Sequence, residues 1–484
     1  MNYKMMGRFI AQTLFVEAIF MLPALIISLV GGEKMAILGF CVAIAVICAV
    51  ALILRLLCRK AVNAMGPREG LVSASASWII MSLVGCLPFW VSREIPQFID
   101  AFFEIVSGFT TTGASVVANV EGLSKGILYW RSFSHWLGGM GVLVFLLAVN
   151  PGDGKGSGFT MHLLRAESPG PNVGKLVPKM RKTAAILYLI YIALTILNVV
   201  FLLVGKMPLF EAVCTAFGTA GTGGFGVKND SIAGYSPYLQ NVTTVFMLLF
   251  GVNFSCYYLL LLRQVRSVFK DEELRLYIGI VVASIVMIAW NIHSLYGTAE
   301  EAIRHAAFQV GSIITTTGYA TTDFDLWPSF SKAILLGLMI VGACAGSTGG
   351  GIKIARVLLL FKSLRRNIRL ITRPNTVQVV RSNGNPVEEK VLENTNAYLA
   401  AYMIILVLSI IVISLDGLSM TTNITAVLAC FNNIGPGLEI VGPTGNFSSF
   451  STLSKLILSV DMLAGRLEIF PILVLLSRRT WNRK

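Results

Sequence analysis

A chain of 484 residues could hold two or three soluble domains, but 55% of its residues are hydrophobic and only 13% are charged. A soluble domain carries about 25% charged residues. The net charge of +14 suggests a nucleic-acid surface, yet the basic residues cluster in alternate loops without a recognition module, which excludes that class and orients a membrane protein.

In chain order, Phe9 to Val30 and Met35 to Leu57 are apolar runs near or above the roughly 20 residues that cross a bilayer. The short turn Gly31-Gly32-Glu33-Lys34 joins them. The first run contains Glu17 and Pro23 and has no clean small-residue cleavage site, so it reads as a span and not as a cleaved signal. After the basic loop Arg55 to Arg68, one pattern recurs four times: a full span, a shorter amphipathic segment, a polar Gly/Thr/Asn stretch, and another full span.

The first unit comprises Leu71 to Val91, Phe98 to Phe109, a polar stretch, and Ile127 to Val149. The second comprises Ala184 to Val204, Leu209 to Phe217, Thr219 to Gly224, and Val242 to Leu262. The third comprises Leu276 to Ile292, Ala299 to Ile314, a polar stretch, and Lys332 to Phe361. The fourth comprises Ala397 to Leu415, Ser419 to Phe431, a polar stretch, and Leu453 to Leu476. The fold expected is an all-α polytopic membrane protein: two N-terminal spans and four span, re-entrant pore helix, span repeats around a central pore. The divisions fall at residues 1–68, 69–180, 181–270, 271–390 and 391–484.

The short segments are too short to span, and irregular backbone at membrane depth is tolerated only where protein buries it or it lines a watery cavity. Their polar stretches align. Thr110, Thr111, Thr112 and Gly113 match Thr315, Thr316, Thr317 and Gly318, and more loosely Asn432, Asn433, Ile434 and Gly435. The second stretch reads Thr219, Ala220, Gly221, Thr222, Gly223; counting from Phe217 selects Gly221, and a two-residue insertion selects Gly223. Carbonyl and hydroxyl oxygens replace the hydration shell of a cation, and glycine adopts the φ > 0 geometry that turns carbonyls inward. None of these stretches contains Asp or Glu, which disfavours calcium and suits a monovalent ion. One Thr-Thr-Thr-Gly alone would be ordinary helix packing; four in matched positions are a filter.

Two further features stand out. The last span of the third unit is interrupted by Gly346, Ser347, Thr348, Gly349, Gly350, Gly351 and Lys353, a run that destabilises helix. It lacks the Lys placement and preceding strand of a phosphate loop, and reads as an irregular intramembrane segment just below the filter, able to obstruct the pore, with a simple helix kink as the alternative. Arg466 lies within the final span, where a charge faces a cavity or a partner: it repels ions, pins the glycine segment, or pairs with Glu468 or Asp461. Trp130 and Trp136 read as interfacial anchors and His135 as a packing residue. The eight cysteines form no CxxC pair and read as packing residues; the four histidines have no metal-like spacing.

Together these features resemble the Trk/Ktr/HKT superfamily of potassium transporters. The two extra N-terminal spans, the Gly-Gly-Phe after the second filter loop, the Gly-Ser-Thr-Gly-Gly-Gly segment and Ala-Gly-Arg-Leu-Glu resemble its TrkH branch specifically. The resemblance implies K+ as the transported ion, coordinated at Gly113, Gly318, Gly435 and, in the second loop, Gly223 in preference to Gly221. It implies that Gly346 to Lys353 and Arg466 form the gate. It also implies a homodimer in the inner membrane, assembled with a cytosolic TrkA-type ring that binds nucleotide, with no bound organic cofactor in this chain. Charge placement puts both termini in the cytoplasm. A proton- or sodium-coupled transporter, with Asp461 as its coupling site, is the competing reading; an intramembrane enzyme lacks a nucleophile–base pair.

Overall fold

The structure, a computed structural model, describes residues 1–59, 66–141 and 180–481. The part of the Ile127 to Val149 span beyond Gly141, most of the Lys155 to Lys182 loop, and parts of the Arg55 to Arg68 and Arg478 to Lys484 segments lie outside the described residues.

The chain is nearly all helical. Tyr3–Gly31 begins at Asn2, whose side chain accepts the Met5 N–H, and ends at Gly32 in the left-handed region. The turn hands over to Lys34–Leu57, and the two helices pack as an antiparallel pair. Glu33 in the turn accepts the Lys125 N–H at 2.7 Å and the Gly126 N–H at 3.2 Å, which ties the pair to the first unit. Gly126 permits this approach, because a Cβ there would sit 2.9 Å from the Ala24 carbonyl.

The recurring order of helices follows the sequence. The short helices are Phe98–Phe109, Leu209–Gly221, Ala299–Ile314 and Met420–Phe431. Each is preceded by a long helix: Pro67–Gly85 extended by Leu87–Val91, Met180–Val204, Glu272–Ile292 and Glu389–Ile413. Thr298 and Ser419 cap two of the short helices through their side chains, accepting from Glu301 N and Thr422 N. Their C-terminal ends carry the partial negative charge of the helix dipole into the loops that follow.

Two of the helices after the loops, in the second and fourth units, are expected as continuous spans but break, and the third breaks at its glycine segment as expected. Pro237–Phe250 and Phe254–Leu261 meet at 88° across Gly251 to Asn253. Ser329–Val341 and Ile354–Thr372 are separated by the glycine segment, and Thr452–Arg466 and Phe470–Leu476 by Leu467 to Ile469. Glu468 and Ile469 both take φ > 0, at 59° and 65°, and the second is a strained value for β-branched isoleucine. Among the described residues six helices are long and apolar enough to cross a membrane, or seven if the bent pair is one span.

Trp130 also corrects the sequence reading. Trp130 is buried, donates its indole N–H to the Gly85 carbonyl at 3.0 Å, and meets Phe109 edge-on at 5.9 Å. Trp136 donates to Thr195 Oγ1 at 3.2 Å and stacks on Phe133 and Tyr191. Trp130 is thus a core residue behind the first loop and not an interfacial anchor, while Trp136 is half-buried in the aromatic cluster.

Candidate functional site

The four loops turn alike. Thr111, Thr222, Thr316 and Asn433 all take φ between 53° and 58°. Two residues on, Gly113, Gly224, Gly318 and Gly435 take φ of 80°, 78°, 84° and 101°. The backbone bonds repeat in register: Thr112 N–H donates to Ser107 O, Gly223 to Gly218 O, Thr317 to Ser312 O and Ile434 to Ala429 O, all at 2.8–2.9 Å. The second loop is therefore in a register that counting did not find. Gly224, and neither Gly221 nor Gly223, is the structural counterpart of Gly113. A signal was present: Gly224 precedes Phe225 as Gly318 precedes Tyr319.

These glycines close a ring. A Cβ on Gly113 would strike the Gly223 carbonyl oxygen, one on Gly224 that of Thr317, and one on Gly318 that of Ile434. A Cβ on Gly435 would lie 2.8 Å from the Thr112 oxygen. Each loop thus meets the next in chain order, and the fourth returns to the first. The four carbonyls involved, of Thr112, Gly223, Thr317 and Ile434, occupy equivalent positions.

The threonine hydroxyls have other work. Those of Thr110, Thr219 and Thr315 donate to carbonyls four residues back at 2.7–2.8 Å. Thr110 also pairs with Thr112, and Thr315 with Thr317. Asn433 Nδ2 donates to Thr112 Oγ1 at 3.0 Å and to the Met462 carbonyl at 2.9 Å, pinning the fourth loop to the first. The Asn432 amide pairs with the Tyr402 hydroxyl. Past the fourth loop, Ser419 and Thr422 hydroxyls donate to Glu439, holding its exposed carboxyl below the usual carboxylate range.

Behind the first loop stands a pair that sequence reading missed. Glu104 and Arg131 are both buried and bridge at 2.7 Å. Glu104 also accepts the Ser115 hydroxyl and the Val116 N–H, at 2.9 Å each, on the chain leaving Gly113. Arg131 lies 4.1 Å over the Phe225 ring. Removing one partner of a buried pair costs about 3–5 kcal/mol. Arg131→Met is expected to lower the thermal unfolding temperature of the purified protein sharply, and pairing it with Glu104→Leu to restore much of the loss.

The glycine segment lies against the helix side of the loops. Gly342, Gly346, Gly351 and Lys353 take φ of 70–78°. Cys344 N–H donates to the Gly251 carbonyl at 3.1 Å, and Phe254 N–H to the Gly346 carbonyl at 3.0 Å, so the segment docks into the break of the second unit. The Thr348 hydroxyl donates to Phe250 O at 3.3 Å and the Gly350 N–H to Thr316 Oγ1 at 2.6 Å. The Lys353 ammonium turns back onto the Gly349 carbonyl. A Cβ on Gly350 would strike the Asn432 carbonyl oxygen, and one on Gly349 would lie 2.8 Å from that of Thr315.

Arg466 spans three units. Its Nη1 donates to Thr348 O at 2.9 Å and Thr111 Oγ1 at 3.4 Å, and its Nη2 to Gly139 O at 2.7 Å and to Gly138 O. Of the sequence alternatives, the contact with the glycine segment is present. Glu468 instead pairs with Arg356, and Asp461 accepts from Ser409 at 2.9 Å.

This is a polytopic helical membrane protein whose non-helical backbone closes into a ring of loops inside the helix bundle, with a glycine segment against one side. Comparison with known proteins specifies it further. The TrkH family, described as cation transport protein, matches residues 37–482. The Trk system potassium uptake protein TrkH of Salmonella typhimurium is 36% identical over 432 residues, 88% of each chain. Its namesake from Halomonas elongata is 32% identical over the full length of both. The crystal structure of the potassium transporter TrkH from Vibrio parahaemolyticus superposes with a TM-score of 0.89 over 100% of both chains at 29% identity. The chain belongs to the TrkH family, a transporter family and not an enzyme family.

Proposed function

We propose that this chain takes up potassium across the bacterial inner membrane through a gated, channel-like pore. The observation that carries the reading is the ring itself: four equivalent carbonyls, each abutting the glycine of the preceding loop, with no carboxylate among them. Neutral oxygens gathered in such a ring replace the hydration shell of a weakly hydrated monovalent ion. The relatives' printed names, potassium uptake protein and potassium transporter, agree with K+ as cargo. Gly346 to Lys353 and Arg466 form the gate. The basic loops lie on the cytoplasmic side with both termini. There a TrkA-type nucleotide-binding ring controls a homodimer of this chain.

The membrane potential drives entry, at about 2.3 kcal/mol per charge for each 100 mV. In vesicles holding the purified chain, potassium uptake is expected to exceed sodium uptake and to rise with an inside-negative potential. Equal uptake of the two ions would overturn the filter reading.

One observation favours a second reading, a proton- or sodium-coupled carrier. Asp461 is buried, and its Oδ2 has no hydrogen-bond partner among the described residues. A linear current–voltage relation reversing at the potassium equilibrium potential, unmoved by pH, rejects that carrier.

A further inference from the structure

One side chain grips the glycine segment independently of the loops and Arg466. Glu273 is half-buried in the first turn of Glu272–Ile292. Its Oε1 accepts the Ala345 N–H at 2.5 Å and the Ala355 N–H at 3.2 Å. Ala345 immediately precedes Gly346 and Ala355 follows Lys353, so one carboxylate oxygen draws the entrance and the exit of the segment to a single point.

The same turn is tied in the other direction. Asp271 caps the helix through Oδ1, and its Oδ2 accepts from Asn383 Nδ2 at 2.8 Å. Asn383 Oδ1 accepts the Glu272 N–H at 2.9 Å, and Glu272 Oε2 accepts the Asn383 N–H at 3.2 Å. Glu272 also pairs with Lys362, whose ammonium donates to the Arg381 carbonyl at 2.8 Å. Asn383, at φ 49°, is in the turn of a small ribbon, Arg381–Ser382 against Asn385–Pro386. The ribbon belongs to the basic stretch Lys353 to Lys390.

We infer that Asp271-Glu272-Glu273 is a mechanical relay: Glu273 positions the glycine segment, and the ribbon turn at Asn383 is the handle through which a displacement of the basic face reaches it. The helix start is the common body that both sets of bonds hold. The inference rests on reading Gly346 to Lys353 as the gate.

The test is potassium flux into vesicles holding the full chain without a cytosolic partner. Glu273→Ala is expected to raise basal flux about tenfold, from the loss of both backbone hydrogen bonds that hold the two ends of the segment. Glu273→Gln, which keeps an acceptor oxygen and the side-chain volume, is expected to raise it less, and it keeps the test open if the alanine variant does not fold. Asn383→Ala is expected to act in the same direction. The double variant Glu273→Ala, Asn383→Ala should fall short of the product of the single effects, as for coupled sites. The potassium-to-sodium ratio should stay unchanged in every variant; a purely structural lesion near the filter would move it.

Deleting Gly346 to Gly350 separates the two ideas. If the deletion raises flux while both Glu273 variants match the wild type, the relay is wrong and the gate reading stands. If the deletion leaves flux unchanged, the gate reading fails and takes the relay with it. Single effects that multiply in the double variant would overturn the link to the ribbon.

Discussion

Gly113→Ser is expected to reduce the preference for potassium over sodium by about tenfold or more, which corresponds to about 1.4 kcal/mol between the two ions. Two physical effects act together. At φ 80° a serine occupies the left-handed region, which costs an L-residue roughly 1–2 kcal/mol. Its Cβ would also collide with the Gly223 carbonyl, one of the four oxygens of the ring. The first and second loops must separate, and the Gly223 oxygen must turn or retreat. With that oxygen displaced the ring loses one of its four carbonyl ligands, and the number of coordinating carbonyls is what sets the preference for potassium over sodium. Relative permeability, measured from reversal potentials in mixed potassium and sodium, reads the effect. Gly279→Ser is the control: its Cβ meets nothing within 4 Å, and its permeability ratio should equal that of the wild type. An unchanged ratio in correctly inserted Gly113→Ser would remove Gly113 from the filter.

That prediction depends on a register only partly legible in the sequence. The short helices and their loops were legible because length and amphipathicity are local properties, and because a Thr-Thr-Thr-Gly at Gly113 and Gly318 gives a ruler. The ruler slips in the second loop. Its helix runs to Gly221 and its turn residue is Thr222, so the threonine and not the first glycine marks the bend. The breaks in the later helices had weaker local signs. At Leu467 to Ile469 the one local sign is Pro471, which cannot donate to the Leu467 carbonyl and so starts a new helix. The strained Ile469 is retained by tertiary bonds, including Glu468 on Arg356 from the third unit. Glu104 and Arg131 lie far apart in the chain, and their third participant, Phe225, comes from another unit. Trp130 looked like an interfacial anchor because periodicity cannot tell a lipid-facing stripe from a face covered by another pore helix.

Arg466→Ala is expected to raise basal potassium flux at least tenfold without the cytosolic partner. The guanidinium fork holds the Thr348 carbonyl of the third unit and the Gly138 and Gly139 carbonyls of the first, from a position in the fourth. Each hydrogen bond to a charged group contributes about 1.5–3 kcal/mol, a factor of ten or more in the balance between held and released states. Two mechanisms predict a rise, and a second substitution distinguishes them. If Arg466 acts only as a positive charge that repels cations, Arg466→Lys should restore low flux. If it acts as a brace, lysine should not, because a compact ammonium cannot reproduce the planar fork that reaches two units at once. The geometry favours the brace, so Arg466→Lys is expected to leak nearly as much as Arg466→Ala. Deleting Gly346 to Gly350 removes the braced segment itself, along with the Gly346 bond to Phe254 and the Gly350 bond to Thr316. It should raise flux further, and adding Arg466→Ala to the deletion should add little, since the brace then has nothing to hold. A fall in flux in the deletion, with expression and insertion intact, would mean that the segment supports the conducting path and does not obstruct it.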